Sequence, residues 1–215
     1  MIGLDTVPYG DSAVLVTATG GTAEERWRAV QRLADVIEAD QVTGVRDLVA
    51  TYDSLLVEFD CTRTTHDDVA STCRAASGRP VRSTTPPTTW RVPVVYGGEH
   101  GPDLPDVAVQ LGLSPDAVVG LHVETPWVVR FTGSPVGAPM MDGSRLPGPI
   151  SRCPSPRTRV PTGSVAVSGR QCVIYPVSSP GGWRLIGRTP AHLSPRPGDV
   201  VRFEPIDESR WHKGV

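Results

Sequence analysis

The stretch Val160-Pro161-Thr162-Gly163-Ser164-Val165-Ala166-Val167-Ser168-Gly169-Arg170-Gln171-Cys172-Val173-Ile174-Tyr175-Pro176 sets the fold class of the larger part of the chain. Two short β-branched runs, Ser164-Val167 and Cys172-Tyr175, are cut off on all sides by Gly and Pro. Each is too short for a helix and suits a strand. The pattern recurs at Val128-Phe131, Arg184-Ile186 and Val200-Phe203, and repeated short strands with turn signals predict a β-barrel or sandwich. Between these runs, residues 132–161 are rich in Gly, Pro and Ser and are expected to form a long loop. Upstream, Trp90 to Tyr96 alternates as a strand, and Pro105-Leu111 and Pro115-His122 fit two short helices, the second capped by Ser114.

The first 80 residues follow a different rhythm. Ser12-Val16 is a short apolar strand, and Thr22 with Glu25 forms a capping box ahead of Trp27, Val30, Leu33, Ala34 and Ile37 on one helical face. Val45-Tyr52 and Leu55-Phe59 read as strands joined by a tight turn near Asp53-Ser54. Thr65 with Asp68 opens a second helix that closes at Gly78. The order β-α-β-β-α is the start of a ferredoxin-like, split βαβ arrangement and lacks one further strand. Residues 79–89 are polar, contain prolines and show no periodicity. They are read as a linker between an α+β domain at 1–80 and a β-barrel domain at 90–215.

Composition narrows the chemistry. The 215 residues are 39% hydrophobic and 20% charged, with a formal net charge of −2, which suits a globular protein and not one that grips nucleic acid. With no long apolar run and no charged start to a leader, the chain is expected to be soluble and cytoplasmic, away from membranes. Twenty of its 21 basic residues are Arg, and the one lysine is Lys213. P-loop, kinase-lysine, Schiff-base and Ser–Ser–Lys amidase chemistries are thereby excluded from the body of the chain. Cys61, Cys73, Cys153 and Cys172 show no metal-finger spacing and read as buried or incidental thiols, and no metal is expected.

Three Gly/Pro-rich clusters stand out. In Val95-Tyr96-Gly97-Gly98-Glu99-His100-Gly101-Pro102-Asp103-Leu104, Gly97 and Gly98 can aim N–H groups at an anion ahead of the helix, or simply turn the chain. Arg157 and Arg159 beside a turn can clamp a carboxylate or phosphate, or lie solvated. In Ser179-Pro180-Gly181-Gly182-Trp183-Arg184-Leu185-Ile186-Gly187-Arg188-Thr189-Pro190, an aromatic wall stands beside cationic heads. His122, near Glu124, is a candidate acid or base, or a helix-end histidine favoured by the macrodipole.

These clusters, with Gly10-Asp11-Ser12-Ala13, Ser54-Leu55-Leu56-Val57-Glu58 and Pro197-Gly198-Asp199-Val200-Val201-Arg202-Phe203, resemble the family of B-type 5-oxoprolinase subunits, also called KipI or allophanate hydrolase subunit 1. The resemblance implies a cyclophilin-like β-barrel for the second domain. It also implies partners: a C-type 5-oxoprolinase subunit (allophanate hydrolase subunit 2) and a lactam-utilisation-type, or A-type, subunit. Together they open 5-oxo-L-proline to L-glutamate with ATP and Mg. The nucleotide is held by this chain or by a partner. The implied site comprises His122 and Arg157 in catalysis, Gln171, Tyr175, Gly181, Gly182, Trp183 and Arg188 on the substrate, and Gly97 and Gly98 on the cofactor. An alternative role among KipI-like members is inhibition of histidine-kinase autophosphorylation.

One segment departs from the family. Where members read FxGFxPGFPYLxGL, this chain has Phe131-Thr132-Gly133-Ser134-Pro135-Val136-Gly137-Ala138-Pro139-Met140-Met141-Asp142-Gly143, with Ala138 and Met140 in place of the aromatic pair. The GxQTGxYP motif appears as Gly169 to Pro176 without its Thr-Gly. A changed substrate pocket is expected from both.

Overall fold

The computed structural model describes residues 2–80, 86–133 and 137–211. Residues 81–85 of the linker, Ser134-Pro135-Val136 of the departing segment, and Lys213 lie outside the described residues. The chain divides into two compact units, Met1–Pro86 and Pro87–Val215.

In the first unit, strands β1 (Gly3–Tyr9), β2 (Ala13–Thr19), β3 (Val45–Ala50) and β4 (Ser54–Phe59) form an antiparallel sheet in the order β1-β2-β4-β3. Helix α1 (Ala23–Ala39) follows β2, and α2 (His66–Ala76) follows β4. Both capping boxes form as their residue types dictate. Glu25 N donates to Thr22 Oγ1 at 3.2 Å, and Asp68 N donates to Thr65 Oγ1 at 3.3 Å. One sheet face meets the helices through Val14, Val16, Leu55 and Val57 against Val30, Leu33, Ile37, Val69 and Cys73.

The missing strand differs from expectation. It precedes the β-α-β-β-α run as β1 instead of following α2, and it pairs from Gly3↔Thr19 to Tyr9↔Ala13. Its alternation is blurred because β1 is an edge strand with both polar and apolar side chains exposed. Pro8, which has no N–H to donate, is tolerated there.

The second unit is a closed barrel with strand order β10-β7-β6-β13-β5-β12-β9. Its strands are β5 (Thr89–Tyr96), β6 (Trp127–Gly133), β7 (Ala138–Asp142), β9 (Ser164–Ser168), β10 (Gln171–Ile174), β12 (Arg184–Arg188) and β13 (Val200–Pro205). The ring closes through β9 and β10, and the β5–β13 seam is parallel while the others are antiparallel. Helices α3 (Leu104–Leu111) and α4 (Pro115–Glu124) fall between β5 and β6. A separate two-stranded ribbon pairs β8 (Arg157–Val160) with β11 (Ser179–Gly181). The expected long loop at 132–161 thus contains β7 and β8. Both were hidden because Pro139 and the flanking Gly and Pro mask the strand signal.

Two apolar clusters lie on opposite faces of the barrel wall. Inside, Trp127, Met141, Cys172, Ile186 and Phe203 fill the ring. Outside, Ala166, Val173 and Leu185 pack with Ala138 and Val160, and Met140, Tyr175 and Trp183 lie against them partly exposed. Alternation along each strand produces this division: Val165, Val167 and Ile174 point in while Ala166 and Val173 point out. Among the described residues, no helix is long and apolar enough to cross a membrane.

Candidate functional site

Five of the residues singled out in the sequence converge where the ribbon meets the outer wall of the barrel. Gly181 pairs with Arg157 across β11 and β8. A Cβ at Gly181 would strike the Tyr175 hydroxyl, so only glycine lets the ring lie flat against this strand. Gly182 lies beside Pro156, and its carbonyl accepts the Cys153 N–H at 2.8 Å. Trp183 follows, with its carbonyl 3.9 Å from Cys153 Sγ.

Arg157 is anchored within this group by a residue assigned no site role in the sequence. Its Nη2 donates to Asp103 Oδ1 at 2.7 Å, and its Nη1 to Cys153 Sγ at 3.2 Å. Asp103 is 6% exposed and accepts the Leu185 N–H at Oδ2, 2.7 Å away. Asp103 occupies the N-cap position of α3, yet its side chain makes no capping bond. A short polar residue just ahead of a helix is the sequence signal that marks Asp103, although such a residue suits the helix N–H groups and not the distant partners it has here. Hydrogen bonding to Asp103 holds the Arg157 guanidinium even more firmly protonated than usual. The arginine side chain remains 31% exposed, so a fixed cation faces solvent.

Burial raises the Tyr175 phenol above its ordinary value, although nearby Arg152 and Arg157 act in the opposite sense. At neutral pH it is therefore an O–H donor and not a phenolate. The assembled side chains offer a guanidinium held at Nη1 and Nη2 by Cys153 and Asp103, a neutral donor and an indole wall on one surface. They suit a small anionic ligand with a flat apolar body. Ala138 and Met140, the residues that replace the family's aromatic pair, pack in the same outer cluster as Tyr175 and Trp183.

The remaining candidates lie elsewhere. His122 is 0% exposed, in the barrel interior, with ring centroids 4.5 Å from Phe203 and 5.0 Å from Trp127. Tyr96 Oη lies 2.8 Å from its Nδ1, and Cys172 Sγ lies 3.4 Å from its Nε2. Burial lowers its pKa to about 3, so the imidazole is neutral and both ring nitrogens are engaged. The expected proton carrier is thus a core histidine, sealed off by the packing that the sequence could not display. The structure does bring a Cys and a His together here, a contact their spacing of 50 positions concealed.

Gly97 and Gly98 take positive φ values of 70° and 53°. The Gly97 N–H donates to Ile186 O at 3.0 Å, and Gly101 lies too close to that carbonyl to carry a side chain. A register shift in β12 between Leu185 and Gly187 accompanies the contact. The turn stitches β5 to β12, so the Gly97 N–H, one of the two donors expected at a cofactor phosphate, is used within the fold. Arg188 donates from Nε to Thr162 O at 2.8 Å and lies over the Trp211 ring at 5.2 Å. Gln171 starts β10 opposite Ser168, at the other end of that strand from Tyr175, and shares the outward face of Val173 by alternation.

A family model for the carboxyltransferase domain, subdomain C and D, matches residues 4–196. The B-type 5-oxoprolinase subunit of Bacillus subtilis (strain 168) is 43% identical over 130 residues, covering 56% of this chain and 54% of that protein. Its counterpart from Escherichia coli O157:H7 is 45% identical over 126 residues, covering 54% of this chain and 58% of the relative. The chain spans about half the length of the curated relatives it matches. The crystal structure of TTHA0988 aligns with a TM-score of 0.75 at 33% identity, covering 91% of this chain and 39% of that one. A family match that runs through both units makes the chain a member of the carboxyltransferase domain, subdomain C and D, family.

Proposed function

We propose that this chain is the B-type component of an ATP-dependent complex that opens 5-oxo-L-proline to L-glutamate. Its partners are a C-type 5-oxoprolinase subunit and a lactam-utilisation-type, A-type component. The observation that carries this reading is the surface made by Arg157, Tyr175 and Trp183 around buried Asp103. The substrate has one carboxylate, one lactam oxygen and a small flat ring. Arg157 suits the carboxylate, the Tyr175 O–H suits the lactam oxygen, and the Trp183 indole suits the ring face. Ala138 and Met140 leave a smaller, more pliable wall than aromatic residues would.

A lactam is a poor electrophile; phosphorylation of its oxygen by ATP would activate the carbon toward water, so that the ring C–N bond breaks with nitrogen as the leaving group and phosphate is released by a second water. The nucleotide is assigned to a partner, a reading supported by the Gly97 N–H, which is bonded to Ile186 and is not free to meet a phosphate. This chain's own residues then bind the lactam, orient it, and stabilise negative charge developing at its oxygen. Partners are required to complete the surface, which in this chain lies on the outer wall of the barrel.

The test reconstitutes the chain with its C- and A-type partners and measures 5-oxoproline-dependent phosphate release. Activity only in the full complex is expected, with Trp183→Ala raising KM several-fold while assembly persists. Full turnover by the isolated chain, or unchanged kinetics in that variant, overturns the reading.

A further inference from the structure

In the first unit, the sheet face turned away from α1 and α2 carries an apolar row that crosses all four strands. The register aligns Val7 with Leu15, Leu15 with Leu56, and Leu56 with Val49. Val7 is 51% and Val49 40% exposed, and Leu15 and Leu56 are half-buried between them. The rows on either side bring in charged residues. One carries Asp5, Thr17 and Ser54, and the other Tyr9, Ala13, Glu58 and Asp47. Every charged residue in these rows is acidic, and Asp5, Asp47 and Glu58 are all exposed. Tyr9, 60% exposed, extends the apolar surface at the β1 edge.

We propose that this face docks an amphipathic helix of a partner protein, with an apolar ridge and Lys or Arg on both flanks. Four strands at about 4.8 Å spacing make a row ~14 Å long. That is the length of roughly nine to ten helical residues, or a ridge of i, i+3/i+4, i+7 side chains. The flanking rows lie about 7 Å to either side, within reach of long basic side chains from such a helix. Charge selects this occupant over others. A second copy of the face would set Asp5, Asp47 and Glu58 against the same residues, and an anionic lipid surface would be repelled. The docking face is distinct from the barrel surface proposed for the lactam, and its assignment stands whether or not that reading holds.

The experiment titrates the isotope-labelled full chain with a synthetic Leu/Lys amphipathic peptide of about 18 residues, long enough to hold a helix on a surface. A second titration uses the same peptide with Glu for Lys. The Lys peptide is expected to shift the amides of Val7, Leu15, Val49 and Leu56, with affinity falling as salt rises. It should bind at least about ten-fold more tightly than the Glu peptide. Val7→Ser, at an exposed site, should weaken the Lys peptide several-fold with no change in thermal midpoint. The pair Asp47→Lys with Glu58→Lys should reverse the preference between the peptides. Shifts mapping elsewhere, equal binding of both peptides, insensitivity to the charge reversal, or self-association of the chain through this face would each overturn the proposal.

Discussion

Two places in the barrel unit bring a cysteine against a polar partner, and they have opposite electrical characters. Around His122, the thiol of Cys172, the phenol of Tyr96 and the imidazole are packed among Trp127 and Phe203. Burial raises Cys172 and Tyr96 and lowers His122, so the cluster is neutral throughout. Around Arg157, the thiol of Cys153 and the carboxylate of Asp103 meet a guanidinium that stays charged and touches solvent. The same residue types that suggest catalysis in a sequence become inert packing in one place and a charged surface in the other. Solvent access decides between them.

The largest expected effect lies on the sealed side and follows from the sign of the His122 shift. Its folded pKa of about 3 lies below an unfolded value near 6.5, so the unfolded chain binds the extra proton between those limits. The stabilising contribution is full above about pH 6.5 and falls with acid by about 1.4 kcal/mol per pH unit until about pH 3. Urea midpoints of His122→Leu measured from pH 4 to 7 should lose about one proton's worth of this slope. An unchanged slope would remove the distinction between the two clusters.

A smaller loss is expected on the open side. Asp103→Asn removes the countercharge of Arg157 and weakens the bond to the Leu185 N–H, at a cost of about 2 kcal/mol in urea unfolding at neutral pH. If the variant unfolds with the wild-type midpoint, the ion pair is a surface ornament, and Arg157 needs no buried anchor.

The smallest effect in stability sharpens the contrast through reactivity. Cys153→Ser should change stability by about 0.5 kcal/mol or less. In the native chain, Cys153 is half-buried and should react with a thiol reagent, whereas Cys172, 0% exposed, should react only on unfolding. Equal labelling of both thiols would contradict the sealed core. Mass spectrometry separates them from exposed Cys61.

Much of this architecture was legible because its signals are local. Thr22-Glu25 and Thr65-Asp68 state their helices within four residues, and Ser164-Val167 and Cys172-Tyr175 state their strands by composition. The edge strand β1 escaped because an edge needs no clean alternation, and β7 because Pro139 sits within it. At the site, the gathering of Arg157, Tyr175, Gly181, Gly182 and Trp183 was readable only through family resemblance. The role of Asp103 was not, since its partners Leu185 and Arg157 lie 82 and 54 positions away. His122 shows the reverse failure: a titratable side chain at a helix end says nothing of the aromatic shell that later closes over it.

The parallel seam has a consequence for synthesis. Strand β13 stands between β5 and β6 in the ring, yet it leaves the ribosome after the other six strands of the barrel. The first sheet and its two helices are complete once Ala76 has emerged, but the barrel has two open edges until Val200–Pro205 follows. For more than about a hundred residues of elongation, the nascent chain therefore carries one finished unit and one unsealed cylinder. A ribosome stalled before Val200 would present the bare flanks of β5 and β6 to whatever strand lay nearby.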